Sequence, residues 1–153
     1  MKNNPQVTGR SKGSDRYYAL FAWFTNTDAW RSLNAVERCV YLQLAQRYRG
    51  TNNGRIVFGV RDGEKELRVG RATILRALHT LEQRGFVAVT RKGHFARKEG
   101  SRAATEWRLT QFGCDVTGAL ATKDFARWQS AEIISPAHFR TGTGAVVERS
   151  GST

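Results

Sequence analysis

The stretch LRVGRATILRALHTLEQRGFVAVTRKG, residues 67–93, decides the fold. Within it Ile74, Ala77, Leu78 and Leu81 recur at i, i+3, i+4 and i+7, the spacing of one buried helical stripe. The stripe predicts a helix over residues 71–84. It should stop at Gly85, because glycine accepts the left-handed conformation that closes a helix. Residues 86–91 (FVAVTR) then alternate and are rich in β-branched side chains, so a strand follows directly. A basic, glycine-containing loop comes next, and a second strand is expected at residues 105–110 (TEWRLT). Two strands around such a loop read as a hairpin.

Upstream, Asn34 followed by Glu37 is a capping-box start for a helix over residues 34–48, ending before Gly50. Val36, Val40, Tyr41, Leu44, Ala45 and Tyr48 share one half of that helix, and Arg38, Gln43, Gln46 and Arg47 the other. Cys39 and Leu42 fall outside the apolar stripe, free to meet an extension or a second subunit. Residues 51–54 (TNNG) have turn chemistry, followed by a short strand at 55–58 and a short charged helix at 60–67.

The segment over residues 67–93 resembles the helix-turn-helix and wing of bacterial winged-helix regulators of the GntR and MarR types. Gly70, Arg71, Thr73, Ile74, Arg76, Ala77, Leu78, Leu81, Glu82, Gly85 and Phe86 carry the resemblance, which extends over about residues 34–110. It implies an α+β, mainly helical fold: a winged helix-turn-helix with a three-helix core, a β-hairpin wing, and N- and C-terminal extensions. The chain departs from the family pattern at Arg68, where glycine is usual, and at Gly63 and Glu64, where an aliphatic residue and alanine are usual. The second departure predicts a short or loosely packed helix. The residues after the wing are too few for the large effector domain of GntR proteins, so no small-molecule effector is implied.

Domain organisation is expected to be a flexible basic arm over 1–16, a winged-helix domain with packed extensions over 17–130, and a flexible tail over 131–153. The aromatic run at 17–30 (YYALFAWFTNTDAW) should pack on the body, with Trp23 and Trp30 as core anchors. Residues 111–129 carry Phe112, Leu120, Phe125 and Trp128. They either fold back on the first helix, over Cys39 and Leu42, or form a homodimer contact.

The 153 residues carry 25 Lys and Arg against 13 Asp and Glu, a net charge of +12 that favours a polyanionic partner. Nucleic acid, membrane surface and acidic protein all satisfy that, so the distribution of charge must choose. No apolar run approaches the ~18 residues of a membrane span, and the N-terminus has no leader-like hydrophobic stretch, so a cytoplasmic protein is expected. Cys39 and Cys114 form no CxxC pair, so no metal site is expected. His79, His94 and His138 lack motif partners and no Walker-type loop occurs, so neither an enzyme nor a cofactor is expected.

With the stripe in the core, Ala72, Leu75, Arg76, His79, Thr80 and Gln83 face outward, a neutral-to-basic face without an acid. Such a face suits the major groove. Arg71 and Thr73 sit at the helix N-terminus, where unpaired N–H groups favour phosphate. The loop sets Arg91, Lys92, Arg97, Lys98 and Arg102 against Glu99 alone, with Gly93 and Gly100 leaving it free to adapt. The candidate DNA-binding set is therefore Arg71, Thr73, Leu75, Arg76, His79, Thr80, Arg91, Lys92, Arg97, Lys98 and Arg102, and the expected partner is double-stranded DNA. The leading expectation is a sequence-specific transcriptional regulator. The alternatives are an accessory protein of plasmid or phage replication or recombination, and a protein-interaction module or non-specific RNA binder.

Overall fold

The computed structural model describes residues 18–96 and 101–130. The expected arm over 1–16 and tail over 131–153 lie outside these residues, as do Arg97, Lys98 and Gly100. The class is α+β, as expected. Among the described residues, five α-helices accompany a three-stranded antiparallel sheet and a two-stranded ribbon. The helices are α1 (Ala22–Thr25), α2 (Asp28–Arg31), α3 (Ala35–Arg47), α4 (Val60–Leu67) and α5 (Arg71–Gln83). The strands are β1 (Ile56–Val57), β2 (Val87–Arg91), β3 (His94–Ala96), β4 (Ser101–Ala103) and β5 (Glu106–Leu109). From α3 onward the order is helix, strand, helix, helix, then a hairpin, and the sheet runs β1-β5-β2, an arrangement compatible with a winged helix. No helix of the described residues is long and apolar enough to cross a membrane.

Local signals explain the helix ends. Asn34 Oδ1 accepts from the Glu37 N–H at 3.0 Å and Glu37 Oε2 accepts from the Asn34 N–H at 2.8 Å, the reciprocal cap expected of α3. At the end of α5, the Phe86 N–H donates to Leu81 O and the Gly85 N–H to Glu82 O, a Schellman closure. Gly85 has φ +75, and a Cβ there would stand 2.6 Å from Asp124 Cβ. Only glycine meets both demands.

The core lies between α3, α5 and the inner face of the sheet. Ile74, Ala77, Leu78 and Leu81 are all buried, against Val40, Leu44, Ile56, Phe58 and Leu109. At the far end of α5, both extensions close the core through rings. Phe24 and Trp30 from the N-terminal side, and Phe125 from the C-terminal side, gather on Tyr41 and Phe86. The Phe24–Phe125 and Phe86–Phe125 centroids stand 4.8 and 5.0 Å apart. Burial pushes the Tyr41 phenol far above its ordinary range. The C-terminal segment thus folds back within the chain: Phe125 is buried and Phe112 stacks on Tyr48 at 4.7 Å. Two expectations fail. Trp23 is 48% exposed, lying over Phe125 at the rim and beneath Lys123 instead of in the core. Cys39 remains exposed, so the segment does not cover it.

The turn at 51–54 does more than reverse the chain. Asn53 is fully buried, and its side-chain amide donates to the carbonyls of Leu109, Phe112 and Gly113 at 2.9, 3.3 and 2.7 Å. Its Oδ1 accepts from the Leu109 N–H at 2.7 Å. This network fastens the residues before β1 to the end of β5. Across β5, β2 pairs Val87 with Leu109, Ala88 with Arg108, Val89 with Trp107 and Arg91 with Glu106. Thr90 is therefore an extra, bulged residue, and its hydroxyl lies 2.6 Å from Gly54 O and 3.0 Å from Glu106 O.

Replacing Asn53 by alanine orphans buried carbonyls and one N–H, so urea denaturation should show a loss of roughly 3 kcal/mol. Asn53→Asp should lose more, because it points a carboxylate at carbonyl oxygens. A loss below about 1 kcal/mol for both variants would contradict the role given to this amide.

Candidate nucleic-acid interface

Helices α4 and α5 are joined by Arg68, Val69 and Gly70. Arg68 takes φ 54, ψ 39, the left-handed conformation. A residue with a Cβ is strained in that conformation, where glycine would not be. Of the two expectations for α4 the first holds, since the helix is short at 8 residues, and the second does not. Gly63 is buried, and a Cβ there would lie 2.8 Å from Ile74 Cγ2 and 2.9 Å from Ile74 Cδ1, so the helix is closely packed. The missing side chain lets α4 press against α5 and fixes the angle at which α5 projects.

The outward face of α5 is as the stripe required: Ala72, Leu75, Arg76, His79 and Gln83 are exposed, and Thr80 is half-buried. Arg71 is exposed in the first turn and Thr73 is half-buried beside it. Gly70, the N-cap, offers no side chain to the first N–H groups. Glu82 is also exposed, so the face is bordered by one acid on its C-terminal flank. Thr73, Arg76 and Thr80 of α5 look across an open groove at Val89, Lys92 and Thr105 of the hairpin, over a floor of Phe58 and Trp107. The groove encloses about 1120 Å³.

The side chains of Arg71, Arg76, His79 and Lys92 make no ion pair or hydrogen bond among the described residues. Arg91 differs from expectation. Its guanidinium pairs with the Glu106 carboxylate across the bulge, so part of its charge is already answered within the protein. The basic loop is also more regular than expected. Residues 94–96 pair with 101–103 as an antiparallel ribbon, which places Arg102 in β4 opposite Phe95. Gly93 is not there for freedom: a Cβ would stand 2.6 Å from Ala103 O, so the two strands approach too closely for any side chain.

Helix α4, expected only as a short charged helix, also presents a basic stripe. Arg61, Lys65 and Arg68 recur at i, i+4 and i+7 and are all exposed without a side-chain partner among the described residues. The acids interleaved with them are partly occupied: Glu66 pairs with Arg47 at 2.6 Å, and Asp62 accepts from the Gly59 N–H at 2.8 Å.

No known protein family, curated protein or solved structure matches the chain. Among the described residues, no three His, Cys, Asp or Glu side chains gather in a way that could hold a metal ion.

The turn and the crossing make a paired prediction on stability. Gly63→Ala should lower it by about 1–2 kcal/mol, overpacking against Ile74 outweighing the gain in helix propensity. Arg68→Gly should raise it by up to about 1 kcal/mol, by relieving the left-handed residue. Urea titration of both variants checks the signs; equal signs would contradict the role given to the turn or to the crossing.

Proposed function

We propose that the chain is a winged-helix DNA-binding protein, acting as a sequence-specific regulator, with α5 in the major groove and the β2–β5 hairpin against the backbone. The observation that carries this reading is the groove between them. Its α5 wall presents Arg76 and its hairpin wall presents Lys92, both without partners among the described residues, while Arg71 and His79 lie exposed on the same helix. The groove also carries two acids, exposed Glu82 on the C-terminal flank of α5 and Glu37, which is buried and pairs with Arg84. Neither answers Arg76 or Lys92, so these cations are left for an external anion, and a duplex presents phosphates on both sides of a helix lying in its major groove. The stripe Arg61, Lys65 and Arg68 on α4 and its turn adds exposed cations on the helix preceding the recognition helix. The short side chains Ala72, Thr73 and Thr80 leave α5 slim enough for close approach to base edges.

Positioning and reading separate by mutation. Arg76→Ala should cost about 1–3 kcal/mol on a preferred duplex and change sequence preference. Lys92→Ala, Arg61→Ala and Lys65→Ala should weaken all duplexes alike, each lowering the log–log salt slope by about 0.9 for every phosphate that is no longer neutralised. The measurement is binding titration on selected and scrambled duplexes at several salt concentrations. If Arg76→Ala and the three lysine and arginine variants all bind with unchanged affinity and slope, the proposal fails.

A further inference from the structure

We propose that Ala72 and Leu75 recognise the C5 methyl groups of thymine, so that the helix reads its site partly through apolar contact. This rests on the DNA-binding reading above and names the chemistry of its specificity. Leu75 is 47% exposed on α5, although its neighbours Leu78 and Ile74 are buried. Ala72 is exposed one turn earlier, and residues at i and i+3 adjoin on a helix surface. The two make a small apolar strip on the first two turns of α5, the part of a recognition helix that reaches base edges.

The surroundings of the strip choose its occupant. Arg71, Arg76 and His79 stand beside it without partners among the described residues, a setting that suits a polyanion and not an apolar protein surface. Phosphates give an exposed leucine nothing to bury against, and the sugars are the same at every base pair. The thymine methyl is the apolar group that the major groove offers. Cytosine and uracil lack it, and the major groove of A-form RNA is too narrow for a helix to enter. Arg76, next to Leu75 in the chain, carries the guanidinium that suits the O6 and N7 acceptors of guanine. The strip and the arginine thus divide the reading between a methyl and a pair of hydrogen bonds.

The test uses the full chain and the best-bound duplex enriched from a random-sequence library. Each thymine is replaced in turn by deoxyuridine, which keeps every hydrogen bond of the base pair and removes one methyl. Affinity should fall by about fourfold at one or two thymines, the fold-change of burying one methyl, and stay unchanged at the rest. Leu75→Ala or Ala72→Ser should abolish that discrimination while leaving the salt slope intact. The deoxyuridine series uses unaltered protein, so it does not depend on how the variants fold. Tolerance of uracil at every position overturns the inference, as does discrimination that survives both substitutions, or a library that yields no preferred sequence. Failure to retain any duplex at low salt would instead remove the DNA-binding reading, and this inference with it.

Discussion

The buried amide of Asn53 sets the frame on which the rest is hung. It joins the turn before β1 to the last residue of β5 and to the carbonyls of Phe112 and Gly113. Its own backbone takes part as well: the N–H donates to Asp115 Oδ2 at 2.7 Å and the carbonyl accepts from the Asp115 N–H at 2.8 Å. Because β5 is the central strand, fixing its end fixes both of its neighbours. A buried polar group of this kind specifies one geometry only when all its partners are in place, since inside the protein an unanswered donor or acceptor is expensive. The edge strand β1, which packs on α3, and the edge strand β2, which packs on α5, are therefore referred to the same point.

Helix α5 is then held at two places along its length. Near its start, Gly63 lets α4 come into contact with Ile74. Beyond its end, Phe86 enters the ring cluster contributed by both extensions. Each fully buried ring contributes on the order of 2–3 kcal/mol, so segments that lie outside the helix–sheet unit in sequence are structural members of its core. Anchorage of this kind leaves the outer face of α5 with no packing duty. Polar and basic side chains can occupy it without cost to the fold.

Much of this is legible in the sequence wherever the information is local. The stripe of Ile74, Ala77, Leu78 and Leu81, the Asn34–Glu37 cap and the closing Gly85 each depend on residues a few positions apart, and each appears where expected. What is not legible depends on distant partners. Asn53 resembles any turn asparagine until Leu109 arrives 56 residues later. Arg91 looks like a free cation until Glu106 crosses the bulge. Density of aromatics promises burial for the N-terminal run, but a helix as short as α1 has too few turns to reveal which ring faces inward, and Trp23 lies at the rim. The basic stripe on α4 is the exception, since its i, i+4, i+7 spacing is present in the sequence but is hidden among the neighbouring acids. For the candidate site, exposure on α5 is readable from periodicity, whereas the groove opposite it needs the register of the hairpin.

The bulge at Thr90 divides the hairpin into two lengths that tolerate change differently. Side chains on a strand alternate faces with a period of two, so the one extra residue exchanges inside for outside along everything beyond it on that strand. Insertions or deletions that keep this parity past Thr90 would lengthen or shorten the arm while Lys92 still faced the groove. Those that break it would turn the outer arm over, even if every strand pair re-formed. The parity of the strand beyond Thr90, and not only the pairing of its residues, therefore sets which face the outer arm presents.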